Sequence, residues 1–198
     1  MPASRRDQIL STAADLFAER GFHGTSVADL GAACGMSGPA LYKHFPSKDA
    51  LLAAMLVAIS EELLDVGSRR SEEADDPATA LDALIDWHIT FALANKSLIV
   101  VQDRDWAALP VEARERVRTL QRKYVALWAA QLRALSPGLG DTEAHVRAHA
   151  AFGLLNSTPH SAFLPEDGMR AVLHDMASRA LGLTELGLAE TDLAEEPA

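Results

Sequence analysis

The 198-residue chain contains one cysteine, Cys34. A single thiol excludes an internal disulfide and a cysteine-built zinc cage. Cys34 itself reads as a small buried helical residue rather than a redox group. Aromatic residues make up only 6% of the chain, and β-branched residues are thin beside Ala and Leu. That balance turns expectation away from sheet and towards helix. No stretch reaches about 18 uninterrupted apolar residues, so no membrane-spanning helix is expected. The opening MPASRRDQIL lacks the apolar centre of a secretory signal, and the expected location is cytoplasmic. No Ser/His/Asp or Cys/His constellation, phosphate-binding loop or paired-carboxylate motif stands out. An enzyme is therefore not expected, nor a catalytic residue, a metal or a cofactor.

Positive charge is also scarce, with 18 Lys and Arg against 28 Asp and Glu and a net charge of −10. The deficit is unevenly spread. Residues 1–48 hold five basic and four acidic residues, so nearly all of the negative charge lies beyond them. An acidic bulk is repelled by phosphate, which leaves the first segment to face nucleic acid and predicts weak non-specific binding.

What the chain does have is helical periodicity and punctuation. Ile9, Leu10, Ala13, Leu16 and Phe17 predict an amphipathic helix over 4–20, with Ser4 as N-cap, Asp7 three positions on and Gly21 as the stop. Thr25-Ser26 opens a second helix through Ala33. Gly35-Met36-Ser37-Gly38 is a tight turn, Pro39 suits the first turn of a third helix, and Pro46 ends it. Ser47 caps a fourth helix running to about Val66, followed by a polar loop over 67–77. Further helices are expected over 78–95, from Pro110 to about Leu135, from Thr142 to about Pro159, and over 166–182, with the last sixteen residues a frayed helix or tail. The fold class is all-α: an N-terminal three-helix helix-turn-helix domain over 1–47, then a helical domain over 48–198 with helix four as the link.

The run RRDQILSTAADLFAERGFHGTSVADLGAACGMSGPALYKHFPSKDALL resembles the DNA-binding domain of the TetR family. The matching features are LFAERGF, the Gly-Thr-Ser before helix two, and LYKHFPSKDALL. This resemblance implies a homodimer that represses transcription from a palindromic double-stranded DNA operator and is released by a small-molecule effector in its second domain. Carried onto this chain, the pattern puts Thr25 on a phosphate. It places Ser37, Gly38, Pro39 and Ala40 at base-facing positions, and Tyr42, His44 and Lys48 along the DNA backbone. Lys43 occupies a variable position from which a lysine can read guanine. Tyr42 has the alternative of packing on helix one. Arg5 and Arg6 either reach flanking phosphates or form a solvated end. Leu41, Phe45, Phe17 and Leu30 are expected in the core.

In the second domain, helical spacing groups Trp87, His88 and Phe91, then Arg104 with Trp106, then Tyr124 and Trp128, then Phe152, Asn156 and His160. These are candidates for an effector pocket, an apolar cleft with a few polar anchors; the alternative for the aromatics is ordinary bundle core. His145 and His149 stand one helical turn apart but read as a solvated face. Arg114, Arg116, Arg118, Arg122 and Lys123 load one helix with positive charge, either for ion pairs with neighbouring acids or for an anionic ligand. The segment from RDW to FGLLNSTPHS is similar to actinobacterial members that regulate lipid and acyl-CoA metabolism, which implies a hydrophobic or acyl-CoA-like effector. The last two long helices, through Ala148, Ala151, Leu155, Val172, Met176 and Ala180, are the expected dimer seam.

Overall fold

The computed structural model describes residues 4–183, and every regular element within them is helical. In order these are α1 Arg5–Arg20, α2 Val27–Ala33, α3 Gly38–Tyr42, α4 Lys48–Glu72, α5 Pro77–Ala94, α6 Lys96–Asp105, α7 Val111–Leu135, α8 Asp141–Leu155, α9 Thr158–Ser161 and α10 Glu166–Leu181, with a 3-10 turn Trp106–Ala108 after α6. The expected tail lies outside the described residues except for its first position. Among the described residues, no single helix is long and apolar enough to cross a membrane.

The helix starts follow local chemistry. Ser4 accepts from the Asp7 amide while Asp7 accepts from the Ser4 amide, closing a capping box at α1. Ser26 and Asp29 repeat it at α2. Such caps contribute about 1 kcal/mol each by satisfying amides that the helix leaves open. Gly21 stops α1 at φ +81°, a conformation that favours glycine.

Two expectations are corrected and one helix is added. First, α4 does not end near Val66 but continues to Glu72. Gly67 is buried inside it, because a side chain there would meet the Tyr124 ring. Arg70 pairs with Asp86 at 2.9 Å, a tertiary contact that overrides the loop-like composition of 67–72. Second, α6 forms around the short apolar stretch Leu98–Val101, with Ile99 and Val101 buried. Third, the helix from Asp141 stops at Leu155, with a separate turn of helix at α9.

The chain packs as two compact units. Among the described residues, the first takes those up to Glu62 together with Asn95–Gln121; the second takes Leu63–Ala94 and those from Arg122 to Leu183. This division does not coincide with the boundary expected at residue 47, because Val101, Leu109 and Val117 complete the core that Ile9, Phe17, Leu30, Leu41, Phe45 and Leu52 begin. Each fully buried Leu or Phe there contributes about 2 kcal/mol of hydrophobic stabilisation. In the second unit, Leu81, Leu84, Ile85 and Ile89 of α5 face Trp128, Ala148, Leu155, Leu173 and Ala177.

The turn between α2 and α3 depends on a close approach. A Cβ on Gly31 would stand 2.8 Å from the Met36 carbonyl oxygen and 3.1 Å from the Gly38 nitrogen, both backbone. Gly31→Ala is expected to destabilise the first unit by about 1–3 kcal/mol. Thermal unfolding followed by circular dichroism checks this; an unchanged midpoint would show that the turn has room to give.

Candidate functional site

In the first unit, α2 and α3 meet across the turn that Gly31 permits. Ser37 is the N-cap of α3, its hydroxyl accepting from the Ala40 amide, and Pro occupies the first turn, where no amide is lost. Leu41 and Phe45 anchor α3 in the core. That leaves Ser37, Pro39, Tyr42, Lys43 and His44 on one exposed surface, with Gly38 and Ala40 half-buried among them. Tyr42 is 48% exposed, so its ring is not core. The side chain of Lys43 has no partner among the described residues.

Thr25 and Lys48 are placed differently. Thr25 is buried, and its hydroxyl donates to the Gly21 carbonyl at 2.8 Å. The Lys48 ammonium donates to the carbonyls of Phe22 and Thr25 at 2.7 and 2.8 Å and lies 4.3 Å from the Phe22 ring centre. Two of its three hydrogens are thus engaged inside the protein. Arg5 donates to the Cys34 carbonyl at 2.6 Å. Arg6 donates to the His44 carbonyl at 3.1 Å and covers the Phe45 ring at 4.2 Å. These arginines therefore tie α1 to the reading turn instead of forming a solvated end.

In the second unit, the expected pocket residues separate into a cluster and its outliers. His88, Tyr124 and Phe152 stack with ring centres 4.9–5.8 Å apart and planes within 13°. Trp128 meets all three edge-on, and Phe91 lies 5.6 Å from His88. Asn156, at the C-terminal end of α8, brings its amide oxygen within 3.1 Å of His88 Nε2. Trp87 is half-buried at the margin, with its indole N–H donating to the Leu63 carbonyl at 3.2 Å. His160 is exposed on α9.

Arg104 does not join this cluster. It belongs to the first unit, because α6 packs on α1. There it donates to the Phe17 and Ala18 carbonyls in the last turn of α1, the first of which also accepts from the Gly21 amide. Gly67 was not singled out in the sequence, where a glycine read as a helix stop. A Cβ at Gly67 would stand 2.6 Å from the Tyr124 ring, so this glycine lets α4 lie against the cluster.

The cluster holds unsatisfied chemistry. His88 Nδ1, the Tyr124 hydroxyl and Trp128 Nε1 are buried without hydrogen-bond partners. Burial drives the His88 pKa down from 6.5 to about 4, with the Asn156 hydrogen bond opposing weakly, so the ring is neutral near pH 7. Burial also raises the Tyr124 pKa, keeping it a hydroxyl. The Trp128 N–H lies near enough to lower that pKa slightly, yet no hydrogen bond of acceptable geometry joins the two.

A larger groove, of about 580 Å³, runs along α5 and α10 between Asp82, Asp86, Asp167, Arg170, His174 and Asp175. Most of its charged groups already have partners, Asp167 excepted. Asp86 takes Arg70 and Arg170, each at 2.9 Å, and Asp82 takes His174 at 2.9 Å. Three of the buried side-chain atoms without partners among the described residues are in the aromatic cluster instead, and a further one, Arg114 Nε, lies in the first unit. Among the described residues, no group of three or more His, Cys, Asp or Glu is arranged to hold a metal ion.

A capped, glycine-dependent pair of short helices displaying the exposed side chains of the second is the architecture of a helix-turn-helix DNA-binding regulator. Two family profiles agree. "Bacterial regulatory proteins, tetR family" matches residues 9–55, and "Tetracyclin repressor-like, C-terminal domain" matches residues 74–160. The chain belongs to the TetR family of transcriptional regulators. It is similar to the HTH-type transcriptional repressor KstR2 of Mycolicibacterium smegmatis, with 38% identity over 40% of this chain and 37% of that one. The KstR2 of Rhodococcus jostii is 29% identical over 67% of this chain and 65% of that one. The matches thus span less than two thirds of these curated relatives. A TetR-family transcriptional regulator from Bordetella parapertussis superposes with a TM-score of 0.80 at 28% identity, covering 89% of this chain and 93% of that one.

The neutral burial of His88 carries a pH signature. As pH falls from 6.5 towards 4, the unfolded chain takes up a proton that the folded chain refuses. Stability is therefore expected to fall across that window, by about 3 kcal/mol from this group. Urea unfolding at steps of pH checks it. The fall should be shallower in His88→Leu, and equal slopes in the two proteins would show that His88 titrates freely when folded.

Proposed function

We propose that this chain is a homodimeric repressor that holds a palindromic operator and leaves it when a hydrophobic small molecule occupies the aromatic cluster of the second unit. The observation that carries the DNA reading is the exposed surface of Ser37, Pro39, Tyr42, Lys43 and His44, built on a rigid, internally bonded turn. In this reading, residues 1–47 touch DNA. Gly38 and Ala40 admit close backbone approach to base edges, and Lys48 offers its remaining hydrogen to a phosphate while holding the corner before α2. Thr25 supports that corner from inside. Residues 48–198 carry the effector and dimer functions.

The effector reading rests on the three unpaired polar atoms among His88, Tyr124 and Trp128, since a buried unpaired group costs about 1–3 kcal/mol. A partner arriving with a ligand would recover that cost. Phe91, Phe152 and Asn156 complete the walls, while Trp87 and His160 stand at the margin and outside. Arg104 has no part in it. The arginine row of α7 offers no support for an anionic effector. Arg114 donates to the Ala107 and Leu109 carbonyls, Arg116 pairs with Glu61 at 2.9 Å, and Arg118 pairs with Glu115 at 2.6 Å.

The dimer reading rests on apolar side chains left uncovered on α8, α10 and the segment before α10. Val146 and Phe163 are 61% and 89% exposed, and Leu164, Val172 and Met176 are about half exposed. Ala150 and Gly153 are small and exposed beside Val146, and Ala180 continues the line of Val172 and Met176. Ala148, Ala151 and Leu155, which were expected in the seam, are buried within the protomer's own core.

Selection of bound sequences from a genomic DNA library by the full chain, at fixed salt, tests the reading. A palindrome with half-sites about one helical turn apart is the expected result. Absence of any enriched sequence would overturn it. Met176→Glu should yield a monomer with loss of operator binding, measured by analytical ultracentrifugation and fluorescence anisotropy. A dimer that persists would place the seam elsewhere.

A further inference from the structure

We propose that the effector is an uncharged, flat, hydroxylated ring compound that takes the place of the Phe152 ring beside His88 and Tyr124 and gives the three unpaired polar atoms their partners. This rests on the effector reading above and adds the chemistry of the molecule.

The hydrogen-bond inventory of the cluster selects the functional group. Trp128 Nε1–H only donates and therefore needs an acceptor. His88 Nε2 faces the amide oxygen of Asn156, which only accepts, so Nε2 carries the hydrogen and Nδ1 carries a lone pair. Nδ1 is buried and needs a donor. The Tyr124 hydroxyl serves either way. A hydroxyl answers this mixed demand, accepting from the indole or the phenol and donating to the imidazole. A carboxylate has no hydrogen to give, and a hydrocarbon has neither function.

Charge selects in the same direction. The core around the cluster consists of Leu81, Leu84, Ile85, Ile89, Leu132 and similar residues, and among the described residues of this unit no Lys, Arg, Asp or Glu is buried. The nearest guanidinium that the Tyr124 hydroxyl feels belongs to Arg70, and that group is already paired with Asp86 at 2.9 Å. An anion drawn into such a place would lose its hydration without gaining a countercharge.

The ring geometry selects the shape. His88, Tyr124 and Phe152 lie nearly parallel, with planes within 13° of one another, so a flat ring can take the place of one without tilting the other two. Phe152 is the half-buried member, whereas His88 and Tyr124 are almost fully buried. The ligand comes in from the Phe152 side and takes that ring's place in the stack.

The test uses the full chain and three probes of one shape: 2-naphthol, naphthalene and 2-naphthoate, titrated by calorimetry at pH 7. 2-Naphthol is expected to bind at least about tenfold more tightly than either of the others. In Tyr124→Phe, which removes only the hydroxyl, its advantage over naphthalene should shrink by about tenfold. The same variant should melt no lower than the parent when free of ligand, because the lost hydroxyl had no partner. Equal binding of naphthalene, equal or tighter binding of 2-naphthoate, unchanged selectivity in Tyr124→Phe, or no binding of 2-naphthol by a folded, operator-competent protein would each overturn the proposal. Operator release is followed separately by anisotropy. 2-Naphthol that binds as expected yet leaves the operator occupied would overturn the effector reading while leaving the ligand chemistry intact.

Discussion

Backbone carbonyls at the end of α1 and in the turn after it take charged side chains as donors, and those contacts determine the rest of the first unit. Arg104 donates to the Phe17 and Ala18 carbonyls, Lys48 to those of Phe22 and Thr25, and Asp105 accepts from the Phe22 amide at 3.3 Å. Three charged side chains from α4 and α6 thus close the corner between α1 and α2. Asp105 is 7% exposed, so its carboxylate is held inside by the Arg104 guanidinium and the amide together. With that corner fixed, α2 starts at a defined angle, its capping box forms, and Gly31 can meet the backbone of the following turn.

The part of this arrangement that rests on local chemistry was legible in the sequence. Ser4 with Asp7, Ser26, Gly21 and Pro39 announce helix ends through interactions within four residues, and the structure keeps them, whereas α3 stops at Tyr42, short of Pro46. The part that rests on distant contacts was not. Composition placed a loop at 67–77, but the Arg70–Asp86 pair and the fit of Gly67 against Tyr124 extend α4 through its first half, to Glu72. Arg104 shares a spacing with the pocket aromatics, yet α6 turns it towards α1. Thr25 and Lys48 belong to a motif whose match says that they matter without saying which of their atoms face inward. Ala148, Ala151 and Leu155 show the same limit: an apolar stripe on a helix does not declare whether it faces its own chain or another.

The second unit makes the opposite use of polarity. Where the first unit satisfies buried backbone oxygens with long cationic side chains, the second leaves an imidazole nitrogen, a phenol and an indole N–H unanswered in a core otherwise built of Leu, Ile and Ala. Native cores carry few such atoms, and groups of them mark places where stability gives way to another requirement. The aromatic spacing was visible in the sequence, but the absence of partners was not, because it depends on rotamers and on the one hydrogen bond that Asn156 directs to His88.

The engagement of the basic side chains in the first unit has a consequence for osmotic conditions. DNA affinity that comes from neutralising phosphates is lost steeply as salt rises, because each contact releases condensed counterions. Here Arg5, Arg6 and Lys48 are bonded to carbonyls, Arg20 stands beside Glu19 and Asp29, and Lys43 is left with its charge unanswered. Bonding to neutral carbonyls leaves these side chains charged but anchored, so few of them reach out to phosphate, and the affinity of this head for DNA is expected to change only shallowly with salt. Swings in a cell's potassium are then expected to disturb its hold on DNA little.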